Sequence, residues 1–434
     1  MKNFRGLFGI FFISFALTAC GGGSGGAGAL TPSAGNLSAA RTFAAGTARR
    51  SGHSGYQQLY AFKGTPDGAT PFSNVVAVNG KLYGTTLNGS KNYCSASCGG
   101  NYCYLGCGTV FSVTPSGKEH VVYNFQGNFG SAHDGSWPFD SLIAINGTMY
   151  GTAASAGAHT EGIVFQVTPS GSEQVLYSFA GGSDGGIPEA ALTPKGTTLY
   201  GTTLYGGGSG CGGSGCGTVF SVTTSGQEKV LYSFAGGADG KTPYAGVASS
   251  GNMLYGTTTF GGSGCGTGGC GTVFKMKRSG KDHQVLYKFA GNADGAYPNG
   301  LTEVKGVLYG TTEGGGTYNS GTIFSITPSG TKTTLYSFKD IPDGNLPAAN
   351  FIYNKGSFYG TTVGGGTAGL GTVFKFTPPA TETVLYSFLG GSDGNDAQGP
   401  VTLYKGWLYG TTHGGGGTGC SSGGGCGTIF RVKP

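Results

Sequence analysis

The stretch Leu199-Tyr200-Gly201-Thr202-Thr203 decides the fold, because the same five residues or a close variant occur seven times in the chain. The copies begin at Leu82, Met149, Leu199, Leu254, Leu308, Phe358 and Leu408. A unit of about 50 residues in seven copies is typical of a β-propeller, in which each copy forms one blade. The motif therefore predicts the architecture before any other feature is considered.

Each copy lies within a longer module that contains four short apolar runs bounded by Gly, Pro, Ser or Asp. In the module from Asp184 to Phe234 the runs are 190–194, 199–203, 217–222 and 230–234. Runs of this length, rich in Val, Leu, Tyr, Phe and Thr, are typical of strands. Bulky neighbours such as Leu199 and Tyr200 predict a sheet that is covered on both faces, as a propeller blade is. No run has the apolar period of a helix, so we expect an all-β protein.

The two ends of the repeat region predict a closed ring. The region begins with a fourth-type strand, Gln58–Phe62, and it ends with a third-type strand, Gly427–Val432. The amino-terminal strand thus supplies what the last blade lacks, and pairing them protects two sheet edges. We therefore predict a closed seven-bladed β-propeller of four-stranded blades over residues 56–434.

The first 55 residues have two different compositions. Residues 1–19 combine basic Lys2 and Arg5 with an apolar stretch, which is typical of an export signal. Leu17-Thr-Ala-Cys20 resembles the lipobox of bacterial lipoproteins, in which the cysteine is acylated; the alternative is an ordinary signal peptide with a chance cysteine. By analogy with lipoprotein sorting, Gly21 favours the outer membrane or cell surface. Residues 20–55 are rich in Gly, Ala and Ser and are interpreted as a flexible tether.

Charge argues against nucleic acid as a partner. The formal net charge is +6, but five basic residues and no acid lie in residues 1–50, so the propeller is nearly neutral. Nucleic-acid binding needs a basic surface. The Gly-Gly runs stand between strands and not before helices, so they predict turns and not phosphate-binding loops. We expect a monomer with no cofactor.

Ten cysteines besides Cys20 lie between the second and third strands of their modules. Three close pairs and one group of four predict disulfides, as is usual for an exported protein. The cysteines are Cys211 and Cys216, Cys265 and Cys270, Cys420 and Cys426, and the group Cys94, Cys98, Cys103 and Cys107. For the group of four the alternative is a zinc site with four thiolate ligands. The pairing within that group is left open.

The disulfide loops also identify a face. In a four-stranded meander the loop between strands two and three lies on the same side as the connector between blades. These segments are long and variable, whereas the turns on the opposite side, such as Asn79-Gly80 and Lys355-Gly356, are short and uniform. Variable loops on a rigid scaffold are the usual place for binding. Candidate ligand contacts on this loop face are Trp137, His159, Tyr205, Phe260, Glu313, Tyr318 and His413.

Seven aspartates precede glycine in the connectors between blades. They are Asp67, Asp134, Asp184, Asp239, Asp294, Asp343 and Asp393. Their spacing does not match an EF-hand or a nonapeptide calcium repeat, so a turn is favoured over a metal site. The histidines occupy no repeated position, and no serine stands in a nucleophile elbow. We therefore assign no catalytic residue and no metal ligand.

The combination of L-Y-G-T-T, a Gly-rich loop, G-T-V-F and L-Y-S-F resembles the Gloeo/Verruco (GloVer) tandem repeat of exported bacterial proteins with a choice of anchor. The resemblance covers Tyr56 to Pro434, and the second copy departs most, with Ala153 and Ile163 at motif positions. It implies a surface propeller, here anchored through Cys20, and no established activity. Kelch propellers have blades of similar length, but the chain has no recognisable copper set of Tyr, His and Cys.

Two classes of function fit these observations. The first is a surface-anchored binding or interaction module for a glycan or protein ligand, attached to the membrane through Cys20. The alternative is an extracellular polysaccharide lyase or hydrolase with its site at the ring mouth. The absence of a catalytic constellation favours binding.

Overall fold

A computed structural model of the protein describes residues 55–92, 106–128, 133–417, 420 and 424–434. The first three blades contain β2 (Val76–Val78), β3 (Lys81–Thr86), β4 (Thr109–Val113), β5 (Glu119–Asn124), β6 (Ile143–Ile145), β7 (Thr148–Ala153), β8 (Ile163–Val167), β9 (Glu173–Ser178), β10 (Thr193–Lys195), β11 (Thr198–Thr203), β12 (Thr218–Thr223) and β13 (Glu228–Ser233). Blades four and five contain β14 (Ala248–Ser250), β15 (Met253–Thr258), β16 (Thr272–Lys277), β17 (Gln284–Lys288), β18 (Ala296–Val304), β19 (Val307–Gly314), β20 (Thr322–Ile326) and β21 (Lys332–Ser337).

The last two blades contain β22 (Gly344–Asn345), β23 (Ile352–Asn354), β24 (Ser357–Thr362), β25 (Gly364–Gly365), β26 (Thr372–Thr377), β27 (Thr381–Ser387), β28 (Thr402–Tyr404), β29 (Trp407–Thr412), β30 (Thr428–Val432) and β1 (Tyr56–Ala61). Short 3-10 turns occur at Cys211–Gly213, Gly237–Asp239, Gly266–Gly268, Asn292–Asp294 and Gly391–Asp393. No α-helix occurs among the described residues, and hence none there is long and apolar enough to cross a bilayer.

The predicted closed seven-bladed propeller is confirmed. Seven antiparallel sheets each contain four strands in meander order, and β22 and β25 form a small additional ladder. The last blade has the order β1-β30-β29-β28, so the amino-terminal strand is its outermost strand. Tyr56 in β1 also stacks on Tyr386 of the preceding blade, with ring centroids 3.7 Å apart. The first strand of the chain therefore closes the ring.

The leucine and tyrosine of the repeated motif pack between blades, as predicted. Tyr83 of blade one lies in a cluster with Met149 and Phe165 of blade two, and Tyr409 of blade seven packs with Leu82 of blade one. Seven such clusters occur, one at each junction. The hydrophobic core is thus divided into seven equivalent junctions, and burial of their apolar side chains stabilises the ring.

A phenylalanine pair recurs at every junction. The phenylalanine after the fourth strand of one blade meets the third-strand phenylalanine of the next blade edge to face. The pairs are Phe62–Phe111, Phe125–Phe165, Phe179–Phe220, Phe234–Phe274, Phe289–Phe324, Phe338–Phe374 and Phe388–Phe430. Edge-to-face pairs contribute about 0.5–1.5 kcal/mol each beyond the burial of their area.

The motif threonines have two separate roles. The first donates a hydrogen bond to a backbone carbonyl of the next blade, as Thr202 does to Ala245 and Thr411 does to Ser73. The second bonds to the threonine that opens the third strand of its own blade, with 2.8 Å between hydroxyls in the pair Thr258–Thr272. In blade two, Ala153 and Ile163 replace this second pair, so no buried hydroxyl there loses its partner.

The motif glycine leaves room for the third-strand phenylalanine of its own blade. A Cβ atom on Gly256 would lie 2.4 Å from Cζ of Phe274, and the other six motif glycines are similarly close to their rings. No side chain fits this position without displacing the ring that forms the junction.

We expect Gly256→Ala to lower the free energy of unfolding by about 1–3 kcal/mol, because overpacking moves Phe274 away from Phe234. Gly268→Ala is the matched control, since a Cβ there meets nothing within 4 Å. The control should stay within about 0.5 kcal/mol of the parent. Chemical denaturation measures both, and equal stability of the two variants would contradict this account of the motif glycine.

Candidate functional site

The connectors between blades begin with the repeated aspartates, which are held by tyrosines. In each connector the aspartate accepts a hydrogen bond from the fourth-strand tyrosine, as in Tyr177 to Asp184 at 2.8 Å. The tyrosine stands seven residues earlier in six connectors and eleven earlier at Asp134. The aspartate also accepts a hydrogen bond from a backbone N–H, such as that of Ala180 at 2.7 Å. The same pattern occurs in all seven connectors. The carboxylates therefore fix the turn, which is the interpretation favoured by the sequence.

Three residues after each aspartate lies the position that we call the rim position. Its occupants are Thr70, Trp137, Ile187, Thr242, Tyr297, Leu346 and Asp396. All seven have positive φ, between 53° and 61°, and all are half-buried. Six of them precede proline, which normally disfavours helical conformations at the preceding residue. Such conformations cost on the order of 1–3 kcal/mol per residue.

The left-handed conformation at the rim position joins two blades. The backbone N–H of Thr242 donates to the Cys216 carbonyl of the preceding blade at 2.9 Å. Its carbonyl accepts from the N–H of Thr259 in its own blade at 3.0 Å. Glycine would adopt this backbone without strain, yet no rim position contains glycine. The scaffold thus fixes the backbone, while the seven half-buried side chains on the loop face are of six different types.

Five residues after each aspartate lies a second set, which we call the axis position. Its occupants are Phe72, Phe139, Glu189, Tyr244, Asn299, Ala348 and Gln398. Phe139 lies before blade two and Tyr244 before blade four, yet their ring centroids are 5.9 Å apart. Connectors that are two blades apart can meet in this way only near the ring axis. Phe139 also stacks on Phe72 at 4.6 Å. The axis position therefore surrounds the mouth of the central channel.

Acidic side chains surround Tyr244. Burial raises its pKa well above the ordinary value, and the charges of Glu189, Glu313 and Asp140 raise it further. Burial, reinforced by Asp140, raises the pKa of Glu189 to about 8. Burial alone raises the pKa of Glu313 to about 8. At neutral pH the carboxyls of Glu189 and Glu313 are therefore protonated, and they place proton donors beside the aromatic side chains of the mouth.

His413 forms a second polar group at the mouth. Its Nδ1 lies 3.2 Å from an Asp396 carboxylate oxygen, and its ring centroid lies 4.6 Å from that of Phe72. Asp396 is itself a rim residue. It accepts a hydrogen bond from Gln398 of the axis position at 3.1 Å. The rim and axis positions are therefore continuous at this side of the channel.

The structure divides the predicted contact residues into two groups. Trp137 is a rim residue, and Glu313 and His413 adjoin the axis residues described above. Tyr205 and Phe260 are half-buried near the rim; the Phe260 ring lies 5.6 Å from that of Tyr297. His159 and Tyr318 are exposed on outer loops, Tyr318 by 55%. No hydrogen bond, ion pair or ring contact joins the seven residues to one another within the described part of the chain.

The loops of three blades contain disulfides, and this prediction is confirmed by the bonds Cys211–Cys216, Cys265–Cys270 and Cys420–Cys426. Cys107 is buried and bonds to no described cysteine. Cys94, Cys98 and Cys103 lie outside the described residues, so disulfides or zinc in that group stay predictions. Cys20, its export signal and the tether up to residue 54 also lie outside them.

The axis residues Glu189 and Tyr244 were not among the predicted contacts. Each stands in a connector whose sequence is typical of a turn, and neither has a distinctive neighbour in the sequence. The signal that would have found them is the alignment of the seven connectors on their aspartates. The fifth residue after the aspartate then varies widely, whereas the residue before it is proline in six of the seven connectors.

The outer side of each connector aspartate faces the next blade. The facing residue lies four positions before that blade's tyrosine and is Tyr56, Glu119, Glu173, Glu228, His283, Lys332 or Glu382. Lys332 forms an ion pair with Asp294 at 2.8 Å. At Glu228, burial first and the charge of Asp184 second raise the pKa to about 7. One carboxyl oxygen of Glu228 is buried and has no hydrogen-bond partner among the described residues. An oxygen in this environment is more stable when the carboxyl is protonated.

The sequence matches the Gloeobacter/Verrucomicrobia repeat family over residues 35–215, 203–354 and 263–434. A comparison with curated proteins finds no match. Similar solved structures include a puromycin hydrolase, at TM-score 0.49 and 12% identity, over 79% of this chain and 50% of that one. An oligogalacturonate lyase has TM-score 0.48 and 10% identity, over 87% and 92%. A computationally designed protein has TM-score 0.46 and 13% identity, over 87% and 100%.

The glutamates that face the connector aspartates predict that the protein is more stable at acid pH than at alkaline pH. Burial first, with a neighbouring aspartate second, raises the pKa of Glu119, Glu173 and Glu382 to about 8 and that of Glu228 to about 7. Carboxyls with raised pKa stabilise the protein below the unfolded value of about 4.5 and lose this contribution as the pH rises to 7–8. His283 has the opposite effect, because burial lowers its pKa and so makes the fold less stable at acid pH, but it is one group against four. We expect a higher melting temperature at pH 5 than at pH 8.5.

Glu228→Lys should flatten this pH dependence, because it reproduces the Lys332–Asp294 pair beside Asp184. Gln227→Lys, at an exposed neighbouring site, is the control for added positive charge. Calorimetry at pH 5 and pH 8.5 measures both variants. A melting temperature of Glu228→Lys at pH 8.5 no higher than that of the control would show that Glu228 does not destabilise the protein there.

Proposed function

We propose that this chain, which belongs to the Gloeobacter/Verrucomicrobia repeat family, is a binding module whose ligand enters the mouth of the propeller on the loop face. The observation that carries the proposal is the rim position. Seven blades place the same strained backbone there, and the side chains include Trp137, Tyr297 and Asp396. A strained conformation that is held by the scaffold and occupied by varied side chains is typical of a functional surface.

The chemistry of the mouth favours a glycan as the ligand. Trp137, Tyr297 and Phe260 provide flat aromatic surfaces, and aromatic side chains bind ligands that have both apolar and polar parts. Asp396, His413 and Gln398 provide donors and acceptors beside them. A concave site with aromatic walls and a few polar groups suits a sugar ring, whose faces are apolar and whose edges bear hydroxyls. A protein segment is the other ligand class that the loop face accommodates.

A polysaccharide lyase or hydrolase at the ring mouth is the second candidate. The observation in its favour is the raised pKa of Glu189 and Glu313, since a carboxyl that holds its proton at neutral pH can act as a general acid. No arrangement of nucleophile and base occurs at the mouth in the described residues. We therefore rank binding first.

A glycan array followed by titration of the strongest ligand tests the proposal. Trp137→Ala and Tyr297→Ala should each weaken binding about fivefold to thirtyfold, since a buried aromatic contact contributes roughly 1–2 kcal/mol. Tyr353→Ala is the matched control, because this exposed tyrosine lies beside the short turn at Lys355-Gly356, on the opposite face. Equal affinity of all three variants would place the ligand elsewhere. New reducing or unsaturated ends after incubation would favour the enzyme instead.

We further propose that Cys20 is acylated and anchors the propeller to the outer membrane or cell surface through the tether. The support is the Leu17-Thr-Ala-Cys20 sequence after an apolar stretch. Lipid chains bury methylene groups at about 0.8 kcal/mol each, so their loss removes the attachment. Cys20→Ser should move the protein from the membrane fraction to the soluble fraction, as shown by fractionation and immunoblotting. Cys107→Ser is the control cysteine variant; unchanged membrane association of Cys20→Ser would contradict lipidation.

A further inference from the structure

Glu189 is a nearly buried acid without a hydrogen-bond partner among the described residues. Its side chain is 4% exposed, and no described residue donates a hydrogen bond or an ion pair to its carboxyl. The nearby Asp140 differs, because the backbone N–H groups of Ser141 and Ala191 donate to its two oxygens at 2.5 and 2.7 Å. A buried carboxyl that lacks such donors is costly to the fold. Glu189 therefore needs an explanation that Asp140 does not.

The surroundings of Glu189 favour a positively charged ligand. Asp140 acts on Glu189 directly, and Glu189, Asp140 and Glu313 all act on the Tyr244 hydroxyl, while no basic group acts on that hydroxyl among the described residues. Phe139 and Phe72 extend this cluster as an aromatic wall. Carboxylates attract a cation directly, and aromatic rings attract it through their π faces. Tyr244 and Glu313 are half-buried, so the cluster has access from the mouth.

The cation that fits is organic. Within the described residues no group of three or more His, Cys, Asp or Glu side chains is close enough to hold a metal ion. A metal ion needs its oxygen ligands within about 2.0–2.6 Å, whereas an ammonium group accepts spaced carboxylates and aromatic faces. The arrangement of Glu189, Glu313, Tyr244 and Phe139 thus suits an ammonium group carried on a larger molecule.

We infer that the ligand of the mouth is a glycan with free amino groups, and that Glu189 is the counterion of one ammonium group after it releases its proton to solvent as that group binds. The inference rests on the proposed glycan binding at the mouth and names its chemical class. The ammonium group supplies the donors that Glu189 lacks. The rim aromatics then contact the sugar faces.

The test compares three tetrasaccharides by calorimetry at pH 6: β-1,4-linked glucosamine, its N-acetylated form and β-1,4-linked glucose. The glucosamine tetramer should bind at least tenfold more tightly than the other two. This preference should fall as salt rises, because charge interactions are screened. The salt series needs no variant and so does not depend on how a mutant folds.

Glu189→Gln should remove the preference for the amino form, and Glu228→Gln should preserve it. Glu228 is the matched control, because it is also a partly buried acid with a raised pKa but lies on the outer side of the ring. Melting curves establish that both variants fold. Retention of the full preference by folded Glu189→Gln would overturn the role of Glu189.

The outcomes separate the inference from the proposal on which it rests. Equal binding of the three tetramers, with loss on Trp137→Ala, would overturn the inference and leave glycan binding at the mouth intact. Absence of binding to any glycan would overturn both. Tetralysine bound as tightly as the glucosamine tetramer would show that the site takes cationic peptides, which would overturn the assignment to a glycan.

Discussion

The edge-to-face contact between two phenylalanine rings is the interaction on which the ring depends. One ring follows the fourth strand of a blade, and the other lies in the third strand of the next blade; at Phe179 and Phe220 their centroids are 5.0 Å apart. The second ring can occupy this place only because the motif residue beside it is glycine, as at Gly201. A sequence feature of each blade thus determines the geometry of the junction, and seven equal junctions close the circle.

Blade two shows how far the motif can vary while the junction is kept. Ala153 and Ile163 replace a hydroxyl pair by an apolar pair, and both members differ together. A single replacement would leave one buried hydroxyl without its partner, which costs about 1–3 kcal/mol. Thr152, whose hydroxyl bonds to the next blade, is unchanged and donates to Ala190 at 3.1 Å. Contacts within a blade therefore tolerate paired replacement, and the contact between blades is preserved.

The fold could be predicted from the sequence because every one of its constraints is repeated. The strand runs and the motif positions recur in every module, so one sequence shows the same constraints seven times. The unmatched first and last strands then indicate that the ring closes. The candidate site could be predicted only in part. Trp137, Glu313 and His413 stand out by residue type on the predicted loop face. Tyr244 does not, because its contact with Phe139 joins connectors two blades apart and exists only once the ring is closed.

Acidic residues with a raised pKa lie on the outer side of the connectors and near the axis, and the two groups have different physical explanations. The outer position faces a connector aspartate in every blade, and Lys332 shows that the same scaffold accepts a cation there. A carboxyl at that position can share a proton with its aspartate, so the repeat itself accounts for Glu228 and its equivalents. Glu189 has no such explanation. The equivalent residues are Phe72, Phe139, Tyr244, Asn299, Ala348 and Gln398, so the scaffold requires no carboxyl at the axis. The repeat therefore gives no reason for an acid at this position, whereas the cationic ligand that we propose for the mouth does.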